Sequence, residues 1–247
     1  MEAAEYEKMY IFEEGNWWYK GRRELLLDII SIIKEELDKA HIKILDTGCG
    51  TGLHIKALQR YGDVNGLDFS KEALRFGKSR GNTSLICGSG DRLPFKSSVF
   101  DIVCALDVLE HIEDDLSAIR EMRRVLSPGG YLILTVPAFQ FLWSGHDLAA
   151  HHKRRYDKSE LLHSLGFCGF RVCRSTYWNF LLFPLVALIL LLRKEEQETV
   201  TDLKALPGMA NSSLLALLRL EKAMIRKDMS LPVGVSSLCV CRKGSGD

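Results

Sequence analysis

The sequence predicts an α/β protein built on an open, mostly parallel sheet with helices on both faces. Three observations carry that expectation. From residue 41 strand-like apolar runs alternate with helical patterns, the first run ends in glycines spaced two apart, and a last strand-like run arrives only after two long helical patterns.

The elements follow in order. Residues 22 to 39, RRELLLDIISIIKEELDK, set Leu26, Ile29, Ile30, Ile33 and Leu37 at helical spacing among charges, so an amphipathic helix with a core-facing stripe is expected. Just ahead, NWWYKGRR offers Trp17 and Trp18 either as a staple against the domain or as a pocket wall. The runs IKILD, VNGLD, SLIC, FDIVCALD and GYLILTVP read as five strands, with helices starting near Leu53, Ser70 and Asp115. SPGG, 127 to 130, marks a turn before the fifth strand. In DKSELLHSLGF, Asp157 reads as an N-cap, Glu160 completes a capping box and Gly166 stops the helix. FRVCRSTYW is the sixth strand, helical patterns cover 180 to 196 and 211 to 228, and VGVSSLCVCRK is the last strand. With no repeat and no low-complexity linker, 1–247 reads as one domain: a helical segment 1–40, a core 41–178, a helical pair 179–230 and a final strand 231–247.

A chain of 247 residues can bury one good core. The formal net charge of +1 gives no reason to expect a nucleic acid or an acidic partner. The acidic start MEAAEYEKMYIFEEG lacks the apolar centre of a secretory signal, which points to the cytoplasm. Seven cysteines without a C-x-x-C pair suggest neither disulfides nor zinc; those in the strand runs, Cys87, Cys104, Cys239 and Cys241, read as buried thiols. The stretch 177–192, YWNFLLFPLVALILLL, is interrupted by Pro184 and slightly short for a span of about 20 residues. It reads as a buried lid or oligomer helix, with a peripheral membrane contact through 177–194 as the alternative.

A strand that ends in glycines and passes into a helix exposes bare N–H groups to a ligand. The spacing of Gly48, Gly50 and Gly52 is not the dinucleotide fingerprint, because Leu53 stands where that pattern has its third glycine. Asp46, Asp68 and Asp107 end the first, second and fourth strands and should converge on one crevice. Three acids would repel a pyrophosphate. They suit a ligand with an ammonium, a ribose diol and a positive centre, all of which S-adenosylmethionine has.

ILDTGCGTG, GLDFS, LPF with FDIVCALDVLEHIED, and VLSPGGYLILTVP together resemble the successive motifs of class I S-adenosylmethionine-dependent methyltransferases, in a subgroup similar to the ubiquinone-biosynthesis O-methyltransferases. The likeness runs from 41 to 137. It implies a Rossmann-like sheet of seven strands whose last strand is antiparallel and inserted, and transfer of a methyl group to a small or amphiphilic acceptor by O- or N-methylation. It also implies a cofactor loop at Gly48, Cys49, Gly50 and Gly52, a ribose acid at Asp68 beside Phe69, and a pocket floor at Asp107 and Val108. An adenine contact would fall at Ser89 and Gly90, where relatives carry an acid; Asp91 could swing in instead. The N-terminal segment would cover the cofactor, with Arg22 or Arg23 reaching the methionine carboxylate.

Methyl transfer is an in-line displacement, so positioning supplies most of the catalysis and a base is needed only if the acceptor must lose a proton. His111 and His146, the latter paired with Asp147, are the expected catalytic residues; His151 and His152 are further candidates, while His41 and His163 read as structural. Asp107, Glu110 and His111, at i, i+3 and i+4, could hold a divalent ion, but the same spacing describes a solvated helix start, and no metal is expected. HHKRRY concentrates charge at His151, Arg154, Arg155 and Tyr156, either as a solvated face or as an anion clamp. Together with the apolar stretch after Trp178, it suggests a lipid-linked or prenylated acceptor. The competing readings are a module that binds the donor without chemistry and a nicotinamide oxidoreductase.

Overall fold

A computed structural model of the protein describes residues 3–192 and 207–244. In chain order they form α1 (Ala3–Phe12), α2 (Trp17–Leu37), β1 (Ile42–Thr47), α3 (Ile55–Leu58), β2 (Gly62–Asp68), α4 (Lys71–Ser79), β3 (Leu85–Cys87), β4 (Phe100–Leu106), α5 (Asp115–Val125), β5 (Leu126–Pro137), α6 (Gly145–Ala149), α7 (Lys158–Phe167), β6 (Phe170–Trp178), α8 (Phe183–Leu192), α9 (Gly208–Arg226) and β7 (Ser236–Lys243). One seven-stranded sheet has the order β3-β2-β1-β4-β5-β7-β6. The first five strands are parallel, and β7 lies antiparallel between β5 and β6.

Both sheet faces are covered, which explains why the central strands read as continuous apolar runs. On one face Ile42 and Ile44 of β1, Ile102 of β4 and Ile133 of β5 pack with Leu26, Ile29 and Ile33 of α2 and Leu218 of α9. On the other, Leu45, Val103 and Leu132 meet Ile119 and Met122 of α5 and Leu161 and Leu165 of α7. The period-2 alternation of strand side chains assigns each residue to its layer.

The local punctuation differs from expectation in several places. Helix α2 starts at Trp17 rather than 22, because the Asn16 side chain accepts the Trp18 N–H at 2.8 Å and caps it there. Asp157 occupies the cap position of α7 without a side-chain cap bond, so the predicted capping box does not form. The helix also continues through Gly166 to Phe167, and the left-handed residue of the reversal is Gly169, at φ +84°. A capping box forms instead at Ser144 and Asp147. SPGG is an excursion within the β4–β5 ladder, whose pairing jumps from Phe100–Leu126 to Ile102–Tyr131. Cys87 is exposed, since β3 is a short edge strand, whereas Cys104, Cys239 and Cys241 are buried as expected. The end of the 180–196 helical pattern, with Arg193 and Lys194, lies outside the described residues. Among the described residues no helix is long and apolar enough to cross a membrane.

Candidate functional site

The strand order reverses between β1 and β4, and ligands of such sheets sit beyond the carboxyl ends at that point. Asp46 and Asp68 lie at the ends of β1 and β2, and Asp107 follows β4. The glycine turn is bound to this geometry. Gly48 has φ +69°, and a Cβ there would stand 2.4 Å from Val108 Cγ2, so no other residue fits without a shift. The Asp68 carboxylate accepts the Gly50 N–H through Oδ2 and the Ser70 N–H through Oδ1, both at 2.8 Å, which ties the turn to the end of β2.

Asp46 is buried and its Oδ2 has no hydrogen-bond partner. Burial pushes its carboxyl up to about 7, against the opposing pull of Arg22. Asp107, at φ +56°, accepts Arg22 Nη1 at 2.5 Å and the Thr135 hydroxyl at 3.0 Å. Arg22 Nε is buried and unpartnered. An orphaned carboxylate oxygen and an orphaned guanidinium N–H thus face one crevice, a pair of groups suited to an ammonium and a carboxylate on one ligand.

Helix α1 lies over the turn. Met9 Cε comes within 3.1 Å of where a Gly50 Cβ would be. Buried Glu13 accepts the Thr51 hydroxyl and pairs with Arg80 at 2.7 Å, and Arg80 stacks over Tyr10 at 4.3 Å. None of these cover contacts was legible in the sequence, because Glu13, Thr51 and Arg80 belong to no shared motif. Cys49 is buried, with its thiol raised by burial, and Val108 is buried behind Gly48. Phe69 is 67% exposed, Ser89 is exposed, and Gly90 sits against Ile112.

On the other side of Asp107, a short 3-10 turn, Leu109–His111, faces α6 and the loop after it. The rings of His111 and His152 meet edge to face at 4.7 Å, and those of His146 and His152 at 6.0 Å. Burial and neighbouring His152 lower His111 to about 4, so its ring is neutral. His146 is exposed on α6. Asp147 is buried and accepts Arg155 Nε and Nη2, each at 2.9 Å, His152 Nδ1 at 2.8 Å and the Ser144 N–H at 2.8 Å.

These bonds give Asp147 two partners, His152 and Arg155, that the sequence reading did not assign to it. They correct one expectation, because the anion clamp is not assembled: Arg155 is buried on Asp147, Arg154 binds the Glu113 carbonyl at 2.7 Å and Asp115 at 3.3 Å, and the Tyr156 hydroxyl donates to Asp115 at 2.9 Å. His151 is exposed at φ +57°. Trp17 and Trp18 pack on the core, with Trp18 6.5 Å from buried Trp178. Beyond β5, Phe139 stacks on Tyr177 at 5.0 Å and approaches half-exposed Phe141 at 5.3 Å and Phe183 at 5.8 Å, an aromatic wall that no sequence signal announced.

A family model described as a methyltransferase domain matches residues 45–134. The demethylmenaquinone methyltransferase of Staphylococcus haemolyticus (strain JCSC1435) is 36% identical over 52% of this chain and 56% of that protein. That of Staphylococcus aureus (strain MRSA252) is 35% identical over 54% and 57%. The chain spans a little over half the length of these curated relatives. Among solved structures, an S-adenosylmethionine-dependent methyltransferase from Mesorhizobium loti superimposes with a TM-score of 0.59 at 18% identity, covering 94% of this chain and 100% of the other. The [4+2]-cyclase SpnF gives 0.56 at 22% identity, with 88% and 80% covered. Both likenesses speak for the fold, and the cyclase among them means that the fold alone does not fix the chemistry.

Proposed function

We propose that this chain is a class I S-adenosylmethionine-dependent methyltransferase that moves the donor's methyl group onto a small amphiphilic acceptor. The observation that carries the reading is the convergence of Asp46, Asp68 and Asp107 with Arg22 on one glycine turn, with buried polar atoms of Asp46 and Arg22 lacking partners. In this assignment Asp46 holds the donor's amino group and Arg22 its carboxylate. Asp68, already fixed by the Gly50 and Ser70 N–H groups, keeps lone pairs for the ribose hydroxyls. Gly48, Gly50 and Gly52 let the backbone approach, Val108 and Asp107 floor the methionine end, and Ser89 and Gly90 flank the adenine end. The sulfonium supplies an electrophilic methyl, and the chain supplies alignment and a water-poor surface.

The acceptor reading draws on the aromatic wall of Phe139, Phe141 and Phe183 and on the relatives named for a demethylated menaquinone. A flat, prenylated or otherwise lipid-linked aromatic acceptor suits that wall, with its tail along exposed Leu185 and Leu188 of α8. Proton removal, where the acceptor atom requires it, falls to the histidine side of the crevice, His111 or His146. Calorimetry tests the donor half: S-adenosylmethionine and S-adenosylhomocysteine should bind with one site each, and NAD should not. Binding of NAD without the sulfonium compound would overturn the reading. Incubation with methyl-labelled donor and a demethylated quinol then tests the acceptor class.

A further inference from the structure

Glu110 is the most anomalous side chain on the acceptor side. It is wholly buried, and neither carboxylate oxygen finds a hydrogen-bond partner in any other residue. A carboxylate in that position is costly unless a cation or donor meets it. Beside it stand His111 and His152, and one ligand atom from each of the three lies within 4.8 Å of the other two.

We propose that Glu110, His111 and His152 bind a divalent transition-metal ion of the zinc type. Nitrogen and carboxylate ligands of zinc lie at roughly 2.0–2.2 Å from the ion, so tetrahedral ligand atoms are about 3.4 Å apart. The observed spacing is close enough for small side-chain rotations to complete the site. The His152 imidazole is set for ligation. His152 donates Nδ1–H to Asp147, which leaves Nε2 with its lone pair, and Asp147 is itself clamped by Arg155. The His111 ring stands against the backbone of His151 and edge to face with His152. A carboxylate behind a ligating histidine, as Asp147 stands behind His152, is the outer-shell arrangement of metal sites.

Two imidazoles and one carboxylate favour zinc and its transition-metal neighbours over magnesium or calcium, which prefer all-oxygen sets. The set differs from the one the sequence spacing suggested, because Asp107 is turned away onto Arg22 and Thr135 and His152 takes its place. Three protein ligands leave a fourth position of a tetrahedral ion open, as in catalytic sites. There a hydroxyl or enol oxygen of the acceptor would bind, and the ion would ease loss of its proton to solvent before the methyl arrives. On this account His111 serves as a ligand, and no histidine is needed as the base. The use of the ion rests on the methyltransferase reading; its binding does not.

The test uses the full chain, stripped by chelator and titrated with Zn2+ or Co2+. One ion per chain is expected, with the visible d–d absorption of four- or five-coordinate Co2+, and X-ray absorption of the zinc form should show nitrogen and oxygen ligands including imidazole. His152→Gln and the near-isosteric Glu110→Gln should each weaken binding more than tenfold while S-adenosylhomocysteine still raises the melting temperature. Wild-type protein that takes up no ion, takes it up equally in both variants, or shows sulfur ligation would overturn the proposal. Ion binding with no response to S-adenosylhomocysteine would leave the metal site standing and remove the donor reading instead.

Discussion

Replacing Asp147 by alanine should cost about 3–5 kcal/mol of folding stability, the range for breaking a buried ion pair from one side. The carboxylate is fully buried and forms an ion pair with Arg155, whose side chain is only 5% exposed. Removing it strands that guanidinium and unties His152 Nδ1 and the Ser144 N–H together. For a chain of this size each kcal/mol moves the melting midpoint by roughly 2–4 °C, so a fall of about 6–20 °C is expected. Asp147→Asn keeps the shape and an accepting oxygen and should lose less. Burial alone would raise the Asp147 carboxyl, but the hydrogen bonds from His152 and Arg155 hold it well below the usual carboxylate range. With the folded value depressed, the unfolded chain takes up the proton first. The stabilisation is therefore present above the unfolded value of about 3.9 and is lost as pH falls through and below it. Urea unfolding of wild type and both variants, at neutral pH and well below about pH 3.9, measures both effects. A loss under about 1 kcal/mol in Asp147→Ala would mean that Arg155 finds water or another anion, and the buried pair would not be what holds the loop after α6.

Three further outcomes are expected. Asp46 has its carboxyl raised to about 7, so a cationic donor must displace a proton to bind below that pH. Donor affinity should climb up to about tenfold per unit as pH rises toward 7, with proton release visible in calorimetry across buffers, and Asp46→Asn should flatten the profile. In the ligand-free protein the sign reverses: the folded chain holds the extra proton, so this group's contribution to stability declines from about pH 4 to 7. Gly48→Ala adds a methyl 2.4 Å from Val108 Cγ2 at φ +69°, and left-handed strain plus overpacking should cost about 2–5 kcal/mol in urea unfolding and sharply reduce S-adenosylhomocysteine binding. Glu221→Ala removes the buried carboxylate that accepts the Leu181 N–H at 2.8 Å, which should cost about 1–3 kcal/mol and speed proteolysis just ahead of α8.

The central sheet was legible because burial on both faces leaves a mark on every residue of a strand: IKILD and FDIVCALD are apolar for a reason that acts locally. The strand-end acids were legible for the same reason, since a carboxylate closing an apolar run has few structural roles. Caps were less so. Asp157 and Glu160 have the right letters for a capping box, yet no cap bond forms there, while Ser144 and Asp147 close one that also anchors Arg155 and His152. A residue that serves several partners at once is decided by tertiary packing, which spacing does not encode. The same applies to HHKRRY, where the run of charge reads as an open patch although Arg155 is buried and Arg154 is held by α5. His152 is a candidate base in the sequence, but its place beside Glu110 depends on the loop after α6 folding back, which spacing does not encode.

The two halves of the crevice meet at Asp107. Its Oδ2 holds Arg22, which belongs to the donor side through Asp46, and its Oδ1 accepts Thr135 of β5, which carries on into the aromatic wall. Arg22 therefore has two anions to serve, Asp107 within the chain and the carboxylate assigned to the donor. A guanidinium can meet both, because its donors point in different directions and Nε is still unpartnered. Donor binding would then add to the Arg22–Asp107 pair instead of breaking it, and would stiffen the very residue that separates donor from acceptor. Helix α1, held over the turn by the Glu13–Arg80 pair and Met9, has to admit the donor before that can happen, so access and alignment are governed by different parts of the N-terminal segment.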